Sequence, residues 1–271
     1  MSKKKNPYEK LSEERKKMQE EGTMPLWYST AGWSLFKKNY LFGTKTVKGQ
    51  FERICKTAKK HLPKQYQQEA YDNFFEILWE GILSASTPVL ANTGTDRGLP
   101  VSCQGSYIGD SIRDIYNSKK ELAVHSKKGF GTSGYLGDIR SRGSEISVGG
   151  VAEGLLPVFQ GLVADSAYVS QGSQRRGAFG GYLPMMHGDW DEIADYAFSQ
   201  PDGVNVGWNL YDDDLLALKD KNKEISRRFA KSLKIKMTVG RGYYMFPDKA
   251  NRRAPEAIKR SGIPIRASNL C

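Results

Sequence analysis

The residues of this sequence best suited to redox or covalent chemistry are its three cysteines, Cys55, Cys103 and Cys271. A deprotonated thiol can act as a nucleophile, a redox partner or a metal ligand. Cys103 lies between turn-rich residues and a short apolar segment, and Cys271 is the final residue. No two cysteines have the CxxC spacing typical of zinc sites, so no metal site is expected. The residues alone leave open whether Cys103 and Cys271 are catalytic or ordinary buried thiols.

Two glycine-rich segments could approach a ligand closely. Residues 170–177 combine glycines with Gln171, Arg175 and Arg176, and arginine can pair with a phosphate or stack on a base. A flexible surface loop with solvated arginines is an equal alternative. Residues 129–134 have the GxGxxG spacing but follow a predicted helix rather than a strand, and they lack the GK[ST] ending of a P-loop. A dinucleotide or P-loop site is therefore not predicted there.

The elements that must position these residues fall into two regions. Residues 8–21, 46–61 and 65–84 have helical patterns, and the apolar stripe of the second helix makes Cys55 a core residue. After residue 84 short apolar segments, such as Val89–Ala91, alternate with helices at 111–126, 153–170, 190–198 and 227–235, and with strands at 178–183 and 242–245. We therefore predict a helical region over residues 1–84 and an α/β domain over residues 85–271.

Composition restricts the possible functions. The formal charge of +11 is compatible with attraction to nucleotides or nucleic acid, but the basic residues are spread along the chain, so direct nucleic-acid binding is not expected. No run of eighteen apolar residues occurs, so no membrane span is expected. The absence of a secretory signal and the odd cysteine count favour the cytoplasm, with a bacterial or phage-infected cell as the expected source.

Six short motifs occur in one order along the chain, and together they resemble the catalytic large subunit of ribonucleotide reductase, most closely its class I form. The ending, with Asn269 and Cys271, is similar to that family's radical-cysteine motif. The resemblance begins near residue 80, and the motifs are Ser86–Gly94, Ser102–Cys103, Gly109–Ile112, Arg140–Ile146, Ser170–Ala178 and Ser268–Cys271.

The resemblance implies a fold and a reaction. The fold is a helical N-terminal region followed by the first half of a ten-stranded α/β barrel, with the radical cysteine on a central finger loop. Cys271 would become a thiyl radical that takes the ribose 3′ hydrogen, and Cys103 would be one of two reducing thiols. Asn269 would hold the substrate by hydrogen bonds, and Thr87 and Ser102 would contact it. No cofactor would be bound directly.

The resemblance also implies allosteric control by deoxynucleotide and ATP effectors. Asp110 and Arg140 match effector contacts, and Ile146 lies in the same loop. Gln171 and Arg175 lie in the loop that would relay effector identity to the substrate site. The helix that begins near Asp110 would form part of a homodimer interface.

The resemblance implies partners as well. They are a ribonucleoside diphosphate substrate, a small metal-containing subunit that generates the radical, and thioredoxin or glutaredoxin. The family's catalytic glutamate and second reducing thiol would lie beyond Cys271, so we expect a second polypeptide to complete the barrel and the fragment alone to be inactive. The alternative hypothesis is a non-catalytic nucleotide-binding or regulatory fragment.

Overall fold

A computed structural model of the chain describes residues 6–128, 130–169, 179–200 and 204–269. The chain divides into two compact units, residues 1–102 and residues 103–271. The predicted fold class, a helical region followed by an α/β region, is confirmed. The domain boundary predicted after residue 84 stays a prediction.

The first unit is helical. Its apolar core contains Trp33, Phe36, Phe51 and the thiol of Cys55, which is fully buried as predicted. The segment Val89–Ala91 lies inside a short helix and not in an extended segment as expected, because Pro88 occupies the first helical turn, where its missing N–H costs nothing. The elements are α1 (Pro7–Glu20), α2 (Thr30–Asn39), α3 (Val47–Lys59), a 3₁₀ turn (Lys64–Tyr66), α4 (Gln67–Trp79) and α5 (Thr87–Asn92).

The second unit alternates strands and helices. In its described residues five strands form one sheet in the order β1-β2-β3-β4-β5, and every neighbouring pair is parallel. The elements are β1 (Cys103–Tyr107), α6 (Ile112–Lys127), β2 (Gly131–Tyr135), α7 (Leu155–Tyr168), β3 (Phe179–Pro184), α8 (Trp190–Ser199), β4 (Val204–Asn209), α9 (Asp212–Lys219), α10 (Lys223–Val239), β5 (Tyr243–Met245), α11 (Pro247–Arg252) and α12 (Glu256–Ser261).

The core of this unit lies between the sheet and its crossover helices. Every second side chain of β3 and β4 faces the helices and packs near Phe159 of α7 and Trp190 of α8. These residues belong to one buried cluster. Sequential parallel strands joined by crossovers of one hand place their helices on the same side of the sheet. The opposite side is therefore free to carry a site.

The glycine-rich residues 131–134 belong to a buried central strand, β2, and not to a loop. A Cβ at Gly134 would lie 2.8 Å from Ile108 Cδ1 and 3.1 Å from the Phe179 ring. Glycine is needed here because neighbouring side chains fill the space above the strand. Rejecting a nucleotide-binding loop at this position was right, but its strand character was missed.

The sheet surface away from the helices is polar and is crossed by residues 263–269. We call this surface the tail face and these residues the tail. Arg266 of the tail lies over the rings of Tyr107 and Tyr135, and Asn209 on β4 donates to the Arg266 carbonyl. In the described part of the chain, no helix is long and apolar enough to cross a membrane.

Candidate functional site

The tail and strand β1 enclose a cleft of about 820 Å³ that is lined by both Cys103 and Asn269. Cys103 opens β1, and because residues alternate along a strand, it shares the tail face with Gly105 and Tyr107. The structure thus brings together two of the residues predicted to be catalytic, although they lie at opposite ends of the second unit. The cleft is lined by Cys103–Tyr107, Ile258, Ile263–Ala267 and Asn269.

Asn269 lies directly over β1. Its Oδ1 is 3.0 Å from the point where a Cβ of Gly105 would stand, and Ser133 Oγ is 3.1 Å from the same point. The missing side chain at residue 105 therefore lets the tail approach the strand. Ser133 Oγ on the neighbouring strand β2 is buried and has no hydrogen-bond partner among the described residues.

The tail is fastened to the sheet by its own backbone. Asn251 on α11 accepts a hydrogen bond from the Ile265 N–H at 2.7 Å and donates one to the Ile265 carbonyl at 2.9 Å. Fully buried Asn209 donates to the Arg266 carbonyl at 2.7 Å. Side-chain amides thus replace the strand partners that an irregular segment lacks.

The residues predicted to bind an effector also lie together. Arg140 donates to Asp110 through its backbone N–H at 3.1 Å and through Nε at 2.6 Å. Its guanidinium also donates to the Glu145 carbonyl at 3.1 Å. Asp110, directly before the N-cap residue of α6, is thereby joined to Arg140 at the start of the loop that precedes α7.

That loop folds back on itself as a hairpin over residues 143–152. An isolated antiparallel bridge joins Glu145 to Val151, and the Ile146 N–H donates to the Gly150 carbonyl. Ile146 is half-buried on this hairpin. The hairpin leads into α7, so its base is held by the residues that begin that helix.

Asp189, which the sequence analysis missed, holds the base of the hairpin. It is 5% exposed, and it accepts the Arg142 N–H at 2.9 Å and the Leu155 N–H at 2.6 Å. Its own N–H donates to His187 Nδ1 at 3.1 Å, and His187 Nε2 contacts the Ile139 carbonyl at 2.8 Å. His187 thus has a structural role in this network. The available signal for Asp189 was an aspartate directly before the helix predicted over residues 190–198.

The remaining predicted site residues belong to the first unit or lie outside the described residues. Thr87 begins α5 in the first unit, where its hydroxyl is 3.4 Å from that of Tyr40, and Ser102 immediately precedes β1. Cys271, Gln171 and Arg175 lie outside the described residues. The roles predicted for all these side chains stay predictions.

Comparison with known proteins shows which proteins this chain is similar to. The family model of the ribonucleotide reductase barrel domain matches residues 101–197. The alpha subunit of the Actinobacillus ureae class Id ribonucleotide reductase has a similar structure, with a TM-score of 0.74 and 32% identity, covering 88% of this chain and 44% of that one. These matches confirm the resemblance of the chain to part of a ribonucleotide reductase large subunit.

Curated large subunits agree with this assignment. The putative ribonucleoside-diphosphate reductase large subunit of Frog virus 3 is 29% identical over 216 residues, which are 71% of this chain and 36% of that protein. The large subunit of Acanthamoeba polyphaga mimivirus is 35% identical over 130 residues, 46% of this chain and 14% of that protein. The chain therefore spans well under half the length of these ribonucleotide reductase relatives.

Proposed function

We propose that this chain forms the N-terminal part of a ribonucleoside-diphosphate reductase large subunit and supplies one wall of its active site. The observation that carries the proposal is the cleft shared by Cys103 and Asn269 in a chain similar to those subunits. Cys271 lies outside the described residues, and its role as the radical thiol rests on the resemblance of the Ser268–Cys271 motif to that of the large subunits. A reducing thiol and a substrate-binding amide then belong to one cleft, and the motif adds the radical thiol.

The proposed chemistry divides the work among these side chains. A Cys271 thiyl takes the hydrogen atom from the ribose 3′ carbon, and its sulfur becomes a thiol. The Cys103 thiol donates a proton to the departing 2′ hydroxyl, which leaves as water. Cys103 and a second thiol, from the part of the barrel beyond this chain's match, together supply two electrons and two protons, one to the leaving water and one to the 2′ carbon, and end as a disulfide. Cys271 then returns its hydrogen atom to the 3′ carbon and becomes a thiyl again. Asn269 holds the ribose hydroxyls while the tail excludes solvent.

The proposal extends to regulation. A deoxynucleotide or ATP effector would bind near Asp110, Arg140 and the hairpin carrying Ile146, with Gln171 and Arg175 relaying its identity. On α6, Ile112 is 73% exposed and Tyr116 is 63% exposed. They are four residues apart and therefore share a helix face, which supports a homodimer contact along α6. The fold would be the first half of a ten-stranded barrel, completed by further sequence in a longer chain or a second polypeptide.

A reconstitution assay tests the proposal. The chain is combined with a segment that completes the barrel, a metal-containing radical-generating subunit, and thioredoxin or glutaredoxin, and CDP reduction is measured. We expect Cys271→Ser and Cys103→Ser to lower turnover at least a thousandfold, since each removes a group that takes part in bond-breaking. Cys55→Ala, in the core of the first unit, is the matched thiol control and retains turnover. Reduction that persists in Cys271→Ser would refute the assignment.

A regulatory fragment without catalysis is the second candidate, and one observation favours it. The hairpin and the Asp110–Arg140 pair are held entirely by described residues of this chain, so an effector site would not depend on a completed barrel. Calorimetry with dATP, dTTP and ATP distinguishes the two. Effector binding that is weakened by Arg140→Gln, with no CDP reduction in any reconstitution, supports the regulatory fragment and rejects the reductase.

A further inference from the structure

One residue of the tail, Arg266, connects two separate strands through its backbone carbonyl and its side chain. Arg266 accepts a hydrogen bond from Asn209, at the end of β4, through its backbone carbonyl. Its guanidinium pairs with Asp138, which follows the end of β2. Because β3 lies between β2 and β4, this single residue crosses the sheet and fixes the direction in which the tail continues.

The guanidinium is also held by aromatic rings. Its central carbon is 5.6 Å from the ring centre of Tyr107 and 5.4 Å from that of Tyr135, and the two rings are stacked with centres 6.5 Å apart. The Tyr107 hydroxyl donates to the same Asp138 oxygen at 2.8 Å. Arginine is the residue type that satisfies both a carboxylate and an aromatic face at once.

The arrangement differs from an ordinary surface ion pair. Isolated exposed pairs stabilise little because water screens them. Here the carboxylate has two donors and the cation has two rings, so each group is held from more than one side. The aspartate hydrogen bond raises the pKa of Tyr107, together with partial burial, so the phenol stays protonated and remains a donor.

We propose that Arg266 and Asp138 are a positioning pair, which holds the tail across the tail face so that Asn269 stays against β1 beside Cys103. The pair does not touch the reacting atoms in this proposal. It fixes the residue three positions before Asn269, and an error there would move the amide away from Gly105. Its catalytic consequence rests on the proposed function, but the positioning itself does not.

The test uses the full 271-residue chain and needs no substrate. Hydrogen–deuterium exchange is measured for peptides within residues 263–269 in the unaltered chain, Arg266→Gln, Asp138→Asn and Arg266→Lys. We expect about fivefold faster exchange in the first two variants, the effect of losing one partly screened charged pair. Arg266→Lys keeps the charge but loses the planar stacking, so its tail exchange rate should lie between that of the unaltered chain and that of the other two variants. This graded rescue separates positioning from a general loss of folding.

A second measurement reports the geometry of the cleft. Cys103 is disulfide-bonded in the structure, so the chain is first reduced and freed of reductant. Diamide takes up two electrons and two protons as it joins two thiols, and peptide mapping shows whether Cys103 and Cys271 become linked. A disulfide requires Cα atoms within about 7 Å, so its rate of formation reports how close the end of the tail comes to β1. The link should form in the unaltered chain and about fivefold more slowly in Arg266→Gln.

Glu192→Gln is the control for both measurements. It breaks the Arg142–Glu192 pair, whose side chains are 43% and 38% exposed, close to the 40% and 37% of Arg266 and Asp138. Tail exchange and linkage should not change in it. Unchanged tail exchange in Arg266→Gln, the same change in Glu192→Gln, or no Cys103–Cys271 link in the unaltered chain would each overturn the positioning pair. Failure of CDP reduction alone would overturn only the proposed reductase.

Discussion

Replacing Asp189 by asparagine should strongly destabilise the second unit. The carboxylate accepts the Arg142 N–H at 2.9 Å and the Leu155 N–H at 2.6 Å in a buried position. Asparagine has the same shape, but one of its two terminal atoms is a donor. With the amide oxygen at the Oδ2 position, the Leu155 N–H keeps its acceptor, while the Arg142 N–H keeps only its longer contact of 3.2 Å and faces an NH₂ group in place of its 2.9 Å acceptor.

The expected magnitude follows from these contacts. A hydrogen bond to a charged acceptor contributes about 1.5–3 kcal/mol, and the second bond weakens as its acceptor becomes neutral. The free energy of unfolding of the second unit should fall by about 3 kcal/mol, which corresponds to about 8 °C in Tm for a unit of this size. Rotation of the amide cannot restore the loss, because the amide has one neutral oxygen in place of two charged ones.

Urea unfolding followed by hydrogen exchange in β3 and β4 peptides measures this loss separately from the first unit. Asp195→Asn is the matched control, because Asp195 lies on α8, the helix that Asp189 precedes. Asp195 is 70% exposed and pairs with Lys231 of α10 at 2.7 Å. The control should cost less than about 0.5 kcal/mol. A loss below about 1 kcal/mol in Asp189→Asn, or one equal to the control, would refute the account of Asp189 as the holder of the hairpin.

Three further predictions concern the core and titration. Gly181→Ala should cost about 2–3 kcal/mol by overpacking, since its Cβ would lie 2.5 Å from the Phe159 ring, whereas Gly161→Ala on α7, facing only a lysine tip, should not destabilise the unit in thermal unfolding. Burial raises the pKa of Cys55 to about 11, so its alkylation at pH 8 should be about a hundredfold slower than in urea, and equal rates would contradict this. Hydrogen bonds from Arg227, opposed by partial burial and helped by Lys231, lower the pKa of Asp191. The contribution of Asp191 to the free energy of unfolding is therefore present above about pH 4 and lost as pH falls below it. The stability difference between the unaltered chain and Asp191→Asn should shrink in acid. A difference that stays constant with pH would show that the ion pair is absent.

Seven of the twelve helices in the described residues were predicted, most clearly where apolar residues repeat at three and four, whereas α2, α5, α9, α11 and α12 were missed. The predicted segment 46–61 corresponds to α3 and the segment 111–126 to α6, each to within two residues. These helices bury one face each, so the pattern in the sequence records the packing directly. Helix α10 was predicted too short because its ends are charged and solvent-facing.

Three of the five strands could not be predicted, for a physical reason. Strand β2 reads Gly131–Tyr135 and is buried on both sides, yet it contains two glycines and no aliphatic residue. Its stability comes from neighbouring strands and from side chains such as Ile108 and Phe179 that fill the space above the glycines. Strand propensity is set by such surroundings, and a single sequence does not contain them.

The residues of the candidate site were likewise predicted only in part. Motif order predicted Cys103 and Asn269 as partners, and the structure places both at one cleft. The groups that hold the cleft were missed, because Asp138 and Arg266 lie far apart in the chain and resemble ordinary charged surface residues. Long-range pairs of this kind depend on strand order, which only the folded sheet supplies.

The glycines of the tail face explain why an irregular segment can cross a sheet at all. A strand needs partners for its backbone, but the tail obtains them from Asn209 and Asn251 and therefore needs to come within hydrogen-bonding distance of the strands. Gly105 leaves room for Asn269, and Gly207 leaves room for the ring of Tyr182, whose carbon would lie 2.1 Å from a Cβ. A side chain at residue 105 would lift Asn269 from β1 without disturbing the helix side of the sheet. The same small residues that obscure the strands in the sequence thus create the space that the site occupies.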